Sequence, residues 1–248
     1  MADQLTENRA ALIVGGSRGI GLAIAHLLGA EGYGVTVAAR HQPDLDEAVA
    51  GLEAEGVDAQ AVAGDISNDE WIRELLERHH RRFGGLDVLV VSAGSGRPTA
   101  LASLDAEWLD RMIAVNLRGP AMLLARALPA LREAGARHRQ AMAVVISSIS
   151  GHWPVPGFAG YSATKAALVS LARSVNVEAA EHGVRACALC PAYVDTAMTA
   201  WTAETIPPKT MLRAQDIAEA VRFLLRLSPN AIVDDLTIRR IGTGPLSP

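Results

Sequence analysis

The chain has 248 residues, of which half are apolar and only 4% aromatic, and its formal net charge is -4. A chain of this length can bury enough apolar surface to fold without disulfides or structural metals, so we expect one domain over residues 1–248. The negative charge excludes the basic footprint of a nucleic-acid-binding protein.

The segment from Met1 to Arg9 is polar and lacks the apolar core of a signal peptide. No apolar run reaches the ~18 residues of a membrane-spanning helix. We therefore expect a cytoplasmic protein with no membrane or nucleic-acid partner.

The first predicted strand, Ala10 to Val14, leads into a glycine-rich turn and then a helix over Leu22 to Glu31. The turn contains Gly15, Ser17, Arg18, Gly19, Ile20 and Gly21. Glycines allow backbone to approach a pyrophosphate, and the helix N-terminus offers free N–H groups. The pattern matches neither G-x-G-x-x-G nor a P-loop letter for letter. Dinucleotide binding is the prediction, and a plain turn is the alternative.

The second predicted strand, Val35 to Ala39, ends at Arg40. An NAD-dependent dehydrogenase would carry an acidic residue there for the ribose hydroxyls. Arg40 and Arg18 suit a 2′-phosphate instead, because guanidinium groups bind phosphate in a forked geometry. The sequence therefore predicts NADP (NADPH), unless both arginines are simply solvated.

A helix over Asp44 to Gly56 and a strand over Gln60 to Ala63 come next, and the strand leads into Asp65 and Ile66. The Asp65 carboxylate either accepts a hydrogen bond from an adenine amino group or caps the following helix, Asn68 to Phe83.

A fourth strand, Leu86 to Val91, precedes Ala93 and Gly94, whose small size lets the backbone lie against a ligand. A long helix is predicted over Asp105 to Ala134. Within it, Asn116 is a polar residue among apolar neighbours, which indicates a kink or a hydrogen-bonded core amide.

Tyr161 and Lys165 lie four residues apart in an Ala-rich run that predicts a helix to Glu178. This helix follows a strand over Ala141 to Ser147 and a loop. At this spacing the side chains share one helix face, and a cation within ~4–6 Å of a tyrosine lowers its pKa by roughly 1–3. Tyr161 would then carry protons near neutral pH, although the motif alone also fits a surface pair.

The remaining predicted elements are a strand over Val184 to Cys190, a helix over Asp216 to Leu227 and a strand over Leu236 to Ile241. The segment 192–213 is predicted to be a substrate lid. The alternation indicates an α/β, Rossmann-like, doubly wound, seven-stranded, mainly parallel sheet with helices on both faces, which binds ligands at the strands' carboxyl ends.

Cys187 and Cys190 have C-x-x-C spacing, but residues three apart on a strand face opposite sides. No second cysteine pair completes a zinc site. We expect buried thiols and no metal.

In their order and spacing these motifs resemble the short-chain dehydrogenase/reductase family, in its compact single-domain branch. The resemblance covers about residues 10 to 200. The matching motifs are Gly15-x3-Gly19-Ile20-Gly21, Asp65, Ala93-Gly94, Asn116, Ser148, Tyr161-x3-Lys165 and Pro191-x2-Val194-x-Thr196.

The resemblance implies an NADP-dependent oxidoreductase for a ketone or secondary alcohol. It makes Tyr161 the general acid or base, with its pKa lowered by Lys165, which also binds the nicotinamide ribose. Ser148 would hold the substrate oxygen, and Asn116 would anchor a water that links Lys165 to solvent. Pro191, Val194 and Thr196 would lie at the cofactor's carboxamide.

The alternatives are a 3-oxoacyl-(acyl-carrier-protein) reductase of fatty acid or polyketide metabolism and a non-catalytic NADP-sensing protein. The first lacks support at the C-terminus, where Leu236 to Arg240 replaces the V-D-G-G ending common in those reductases.

The predicted substrate contacts are Ser148, Trp153, Tyr193 and Trp201. This apolar, aromatic wall suits a medium-sized hydrophobic ketone or alcohol. The Tyr161 helix is apolar almost all round, which is typical of a helix covered on both sides. We therefore expect a homodimer or homotetramer.

Overall fold

The computed structural model describes residues 9–242. The polar segment predicted before Arg9 and the last residues of the predicted domain lie outside this range. Within it, no helix is both long enough and apolar enough to cross a membrane.

Seven parallel strands form one sheet in the order β3-β2-β1-β4-β5-β6-β7. The strands are β1 Ala10–Val14, β2 Gly34–Ala39, β3 Ala59–Ala63, β4 Val88–Val91, β5 Ala141–Ile146, β6 Val184–Pro191 and β7 Asp235–Ile238. The strand order reverses direction between β1 and β4, and a crevice for ligands forms at such a point. The predicted doubly wound α/β fold is confirmed.

Seven α-helices cover the two faces of this sheet in the described part of the chain. They are α1 Gly19–Ala30, α2 Gln42–Ala54, α3 Asp69–Phe83, α4 Ala106–Ile113, α5 Gly119–His138, α6 Ala159–Ala179 and α7 Ala214–Arg226. Buried residues of α3, α5 and α6 form one core with the sheet, and those of α1, α2 and α7 form another. Strands covered on both faces are mainly apolar. In β6 every residue is buried, including one charged residue, Arg185.

The long helix predicted over Asp105 to Ala134 is interrupted near Asn116. A π-helical turn, Ala114–Arg118, separates α4 from α5. Such a turn inserts an extra residue and redirects the helix. Gly119 is close to the loop that follows β3, because a Cβ atom on Gly119 would be 2.5 Å from the carbonyl oxygen of Ile66. The interruption therefore lets α5 pack tightly against the segment that follows β3.

The two cysteines of β6 lie on opposite faces, as predicted. Cys187 belongs to the core shared with α1 and α7, and Cys190 to the core shared with α5 and α6. Both are buried free thiols.

Candidate active site

A cleft of about 1130 Å³ runs along the carboxyl edge of the sheet. It extends from the glycine turn after β1, past the ends of β4 and β5, to α6 and the segment after β6. Most of the predicted site residues line it. They are Gly15, Ser17, Arg18, Gly19, Ile20, Arg40, Asp65, Ile66, Ala93, Gly94, Ser148, Tyr161, Lys165, Pro191, Tyr193, Val194, Thr196 and Trp201. Gly21, Asn116 and Trp153 are predicted site residues that do not line the cleft.

In the glycine turn, backbone segments at Gly15, Gly21 and Ala93 lie in close contact. Gly15 has φ +84°, and a Cβ on it would lie 2.5 Å from the amide nitrogen of Ala93. A Cβ on Gly21 would lie 2.1 Å from the carbonyl oxygen of Gly15. Only glycine fits these positions without displacing backbone. Gly21 thus shapes the turn from behind the cleft wall.

The N-terminus of α1 opens into the cleft. Its N-cap residue, Arg18, is extended and provides no side-chain hydrogen bond to the first helical turn. The free N–H groups and the positive end of the helix dipole favour an anion at this place. The uncapped end of α1 is compatible with the phosphate-binding role expected of this turn, which stays a prediction.

Arg18 and Arg40 line the same end of the cleft, as predicted. Both side chains are exposed, and neither forms an ion pair within residues 9–242. The cleft wall here also contains His41 and Asp44 from the start of α2. Sequence reasoning missed these two, since only the fold of the β2–α2 loop brings them beside Arg40.

Two roles were predicted for Asp65, and the structure excludes one of them, the cap of α3. Its Oδ1 accepts hydrogen bonds from the backbone N–H and the hydroxyl of Ser67, both at 2.8 Å. The cap of α3 is Asn68, whose Oδ1 accepts from Glu70 N and Trp71 N. Asp65 thus lies in a local turn at the cleft wall, beside buried Ile66.

Ser148 lies two residues after the end of β5 and is the N-cap of a short 3₁₀ turn, Ile149–Gly151. Its Oγ accepts a hydrogen bond from Ser150 N at 3.1 Å, so the hydroxyl proton is left to donate elsewhere. The turn is pressed against α6, because a Cβ on Gly151 would lie 2.9 Å from the carbonyl carbon of Lys165. This packing fixes the position of Ser148 relative to Tyr161 and Lys165.

Lys165 is 4% exposed, and its Nζ donates a hydrogen bond to the carbonyl oxygen of Ile146 at 2.8 Å. Nζ lies 5.6 Å from the centroid of the Tyr161 ring. Burial lowers the pKa of Lys165 to about 8, because the charged form loses hydration. The Tyr161–Lys165 pair is therefore a cleft feature and not a surface pair.

The pKa of Tyr161 moves in the direction opposite to the sequence-based expectation. Burial raises it to about 12, and the Ser148 hydroxyl offsets only part of this rise. The nearby Lys165 ammonium does not offset this effect of burial. The expected lowering was wrong for this structure, and Tyr161 is a protonated phenol at neutral pH.

Asn116 is fully buried in the π-helical turn. Its Oδ1 accepts from Ser95 N at 2.8 Å, and its Nδ2 donates to Ser95 O at 2.7 Å and to Thr164 Oγ1 at 3.2 Å. It is both of the alternatives predicted for it, a break in the helix and a hydrogen-bonded core amide. It fixes the strip that follows β4, and a Cβ on Gly94 in this strip would lie 3.3 Å from Lys165 Nζ.

The segment after β6 forms the cleft's other wall. Tyr193 and Leu212 are joined by a backbone hydrogen bond of 2.9 Å, and Asp195 N donates back to Leu212 O at 2.8 Å. Thr199 Oγ1 donates to Thr196 O at 3.0 Å. These bonds hold Pro191, Val194 and Thr196 at the cleft beside Gly19, whose Cβ would lie 3.1 Å from Thr196 Cγ2.

The substrate end of the cleft differs in part from the prediction. Trp153 packs on His152 at a centroid distance of 5.5 Å, away from the cleft wall. Trp108, Phe158 and Met198 line the wall instead. Sequence reasoning missed Trp108 and Phe158, because nothing in the pattern of α4 or of the loop before α6 marks those side chains as facing the cleft.

Comparison with known proteins gives the family. Residues 9–206 match the short chain dehydrogenase family. An uncharacterized oxidoreductase of Staphylococcus aureus (strain USA300) is 34% identical over 234 residues, which cover 94% of this chain and 98% of that protein. The chain therefore belongs to the short chain dehydrogenase family, a class of oxidoreductases.

Solved structures of similar proteins have the same fold as this chain. An alcohol dehydrogenase of the archaeon Thermococcus sibiricus, complexed with 5-hydroxy-NADP, has a TM-score of 0.86 and 34% identity and covers 96% of this chain and 99% of its own. A 3-ketoacyl-(acyl-carrier-protein) reductase of Brucella melitensis, complexed with NADH, has a TM-score of 0.85 and 28% identity. The match covers 94% of this chain and 97% of the reductase.

Replacing Lys165 tests the cost of its burial. The folded state has the lower lysine pKa, about 8 against 10.5, so the unfolded state binds more protons and Lys165 destabilises the fold below pH 8. We expect Lys165→Met to raise the free energy of unfolding at pH 7 by roughly 2–3 kcal/mol. Urea unfolding at pH 7 and pH 10 measures this gain, which should shrink as pH rises from 8 to 10.5. A gain of the same size at both pH values would contradict the lowered pKa.

Proposed function

We propose that the protein is an NADP(H)-dependent oxidoreductase that transfers a hydride between the nicotinamide and a ketone or secondary alcohol. The observation that carries the proposal is the continuous cleft, which joins a phosphate-binding turn to the hydroxyls of Ser148 and Tyr161. A bound nicotinamide cofactor supplies the hydride chemistry. The chain's own residues bind the carbonyl oxygen and deliver a proton to it.

The residues present fit such a cofactor. The positions of Gly15 and Gly21 leave no room for a Cβ, and the α1 N-terminus has no side-chain cap. The pyrophosphate would lie at this turn, with the adenine end near Asp65 and Ile66. Lys165 would bind the nicotinamide ribose, and Pro191, Val194 and Thr196 would hold the carboxamide.

In reduction, Tyr161 donates its phenolic proton to the carbonyl oxygen. The raised pKa, about 12, keeps that proton in place at neutral pH. Ser148 donates to the same oxygen, because its Oγ already accepts from Ser150 N. Two fixed donors stabilise the charge that develops on the oxygen in the transition state. The Lys165 ammonium then stabilises the phenolate that remains.

In oxidation, Tyr161 acts as the base, and it must first lose its proton. Asn116 would anchor the water that links Lys165 to solvent. Its side-chain amide is occupied by Ser95 and Thr164, so that task would fall to the backbone of the π-helical turn.

NADP is preferred over NAD in this proposal. Arg18 and Arg40 are exposed guanidiniums at the cleft end where the second strand terminates, and neither has a carboxylate partner within residues 9–242. Asp44 lines the same region and would act against a 2′-phosphate. The attraction of two arginines for a 2′-phosphate exceeds the repulsion by the single carboxylate, because a forked guanidinium binds phosphate with two hydrogen bonds.

A 3-oxoacyl-(acyl-carrier-protein) reductase is the second candidate, favoured by the similarity to the Brucella melitensis reductase. A non-catalytic NADP sensor would not need Ser148, Tyr161 and Lys165 together in one cleft. The segment 192–213 acts as the substrate lid. The cytoplasmic location stays a prediction.

We further propose that α6 is a subunit interface in a homodimer or homotetramer. Leu168 and Val175 on one side of α6 are buried in the core, whereas Ala163, Ala166 and Val177 on the other side are exposed, the last at 87%. The exposed face is mixed and not apolar all round as predicted, because it also contains Ser170, Arg173, Ser174 and Glu178. Its apolar part is the surface that another subunit would cover.

Tyr161→Phe removes the proton donor and keeps the ring. We expect kcat/KM for ketone reduction with NADPH to fall about 10²–10⁴-fold, whereas the Kd for NADPH should change little. Stopped-flow absorbance and fluorescence titration measure the two quantities. Turnover that is unchanged in this variant would refute the mechanism.

Arg40→Asp should reverse the cofactor preference, because the new carboxylate repels a 2′-phosphate and accepts from ribose hydroxyls. The ratio of kcat/KM with NADPH to that with NADH should fall by about tenfold or more, as expected for the loss of about 1.5–3 kcal/mol in a charged hydrogen bond. A wild-type enzyme that prefers NADH would contradict the role given to the arginines.

Ala166→Arg places a charge in the middle of the exposed α6 face. We expect a monomeric mass by light scattering at micromolar concentration, because burying an unpaired cation in an interface is costly. The matched control is Ala50→Arg on the exposed face of α2, which should keep the wild-type mass. A wild-type protein that is itself monomeric would defeat this proposal.

A further inference from the structure

We propose that the substrates of this cleft carry an aromatic ring next to the reacting carbonyl or alcohol, and that Trp201 is the residue that selects it. This inference rests on the proposed function and narrows its substrate class. It follows from the distribution, the packing and the exposure of aromatic side chains.

Aromatic residues are scarce in this chain, yet they gather at the cleft. The sequence contains 4 Trp, 3 Tyr and 3 Phe. Half of these ten line the cleft, namely Trp108, Phe158, Tyr161, Tyr193 and Trp201. The cores on both sides of the sheet are built almost wholly from aliphatic residues, so the concentration of rings at the cleft is not a by-product of core packing.

Three of these rings form one continuous surface that starts at the proposed proton donor. Phe158 contacts Tyr161 edge to face, at a centroid distance of 6.0 Å. Trp201 stacks on Phe158 at 5.8 Å with an interplanar angle of 30°. Phe158 is the N-cap residue of α6, and Trp201 lies in a short 3₁₀ turn of the segment 192–213. The surface therefore joins the Tyr161 helix to the proposed lid.

Trp201 is not needed to hold its own turn in place. Its neighbour Thr202 is 2% exposed, and the Thr202 hydroxyl donates to Thr199 O at 2.9 Å. Trp201 is 54% exposed and Met198 is 48% exposed at the same wall. Large apolar side chains left open beside a cleft mark a surface that binds a partner or ligand.

A ring that enters next to the carbonyl can extend this surface. Aromatic pairs in stacked or edge-to-face geometry gain about 0.5–1.5 kcal/mol beyond their area burial, which is about 2- to 12-fold in an equilibrium constant. A saturated ring of similar size buries similar area but gains no such term. The cleft should therefore distinguish acetophenone from cyclohexyl methyl ketone.

The test measures kcat/KM with NADPH for both ketones. The wild-type enzyme should prefer acetophenone by about threefold or more, and Trp201→Leu should lose most of that preference. Trp201→Phe keeps a ring and should keep the preference. The control is Phe223→Leu on α7, which removes an aromatic side chain of similar exposure, 49%, outside the cleft. A wild-type preference for the saturated ketone, equal use of both, or an unchanged ratio in Trp201→Leu would overturn the proposal.

A binding experiment separates this inference from the proposed activity. Saturation-transfer NMR compares 1-phenylethanol with 1-cyclohexylethanol on the wild-type protein and on the same three variants, and it requires no turnover. Loss of both ketone activities with a retained, Trp201-dependent preference for 1-phenylethanol would refute the oxidoreductase proposal and support the aromatic site. Equal binding of the two alcohols would refute the aromatic site whether or not the protein reduces ketones.

Discussion

A buried ammonium group ties α6 to the carboxyl edge of the sheet. Lys165 on α6 donates to the last carbonyl group of β5, at 2.8 Å, and is almost fully shielded from solvent. The same helix presses on the turn that carries Ser148, and the strip after β4 approaches Lys165 so closely that a Cβ at Gly94 would lie 3.3 Å from Nζ. The carboxyl ends of β4 and β5 are thus positioned around one cation. Placing a charge in such apolar surroundings is unfavourable. Groups needed for function often lower the stability of the fold in this way.

The electrostatics of the site favour proton donation over proton removal. Apolar surroundings hold Tyr161 protonated, with a pKa of about 12, and bring the pKa of Lys165 down to about 8. The two shifts have one cause, since burial disfavours the charged form of either group. A protonated phenol can donate a proton at neutral pH. The Tyr161-x3-Lys165 spacing by itself does not reveal this effect of burial.

The sequence predicts the fold well because most strands are short, mainly apolar runs followed by glycine or a polar residue, and they alternate with segments of helical periodicity. It also predicts which residues meet at the cleft, because the carboxyl ends of parallel strands share one edge. It fails where tertiary packing decides. The π-helical form of the break at Asn116 and the capping of α3 by Asn68 in place of Asp65 depend on local packing. The Tyr161 pKa depends on burial that spacing does not encode. Trp153 and Phe158 lie in the same loop, and only the path of that loop decides which of them faces the cleft.

The two cysteines of β6 can report when the helices on either face separate from the sheet. Cys187 and Cys190 lie on opposite faces of β6, which pairs with β5 and the edge strand β7, and each belongs to a different core. Burial raises the pKa of their thiols to about 12 and about 11. Alkylating reagents attack the thiolate, which the folded state neither forms at neutral pH nor exposes. Modification of either sulfur therefore requires that a layer of helices separate from the sheet, and the two labelling rates report separately on the two faces.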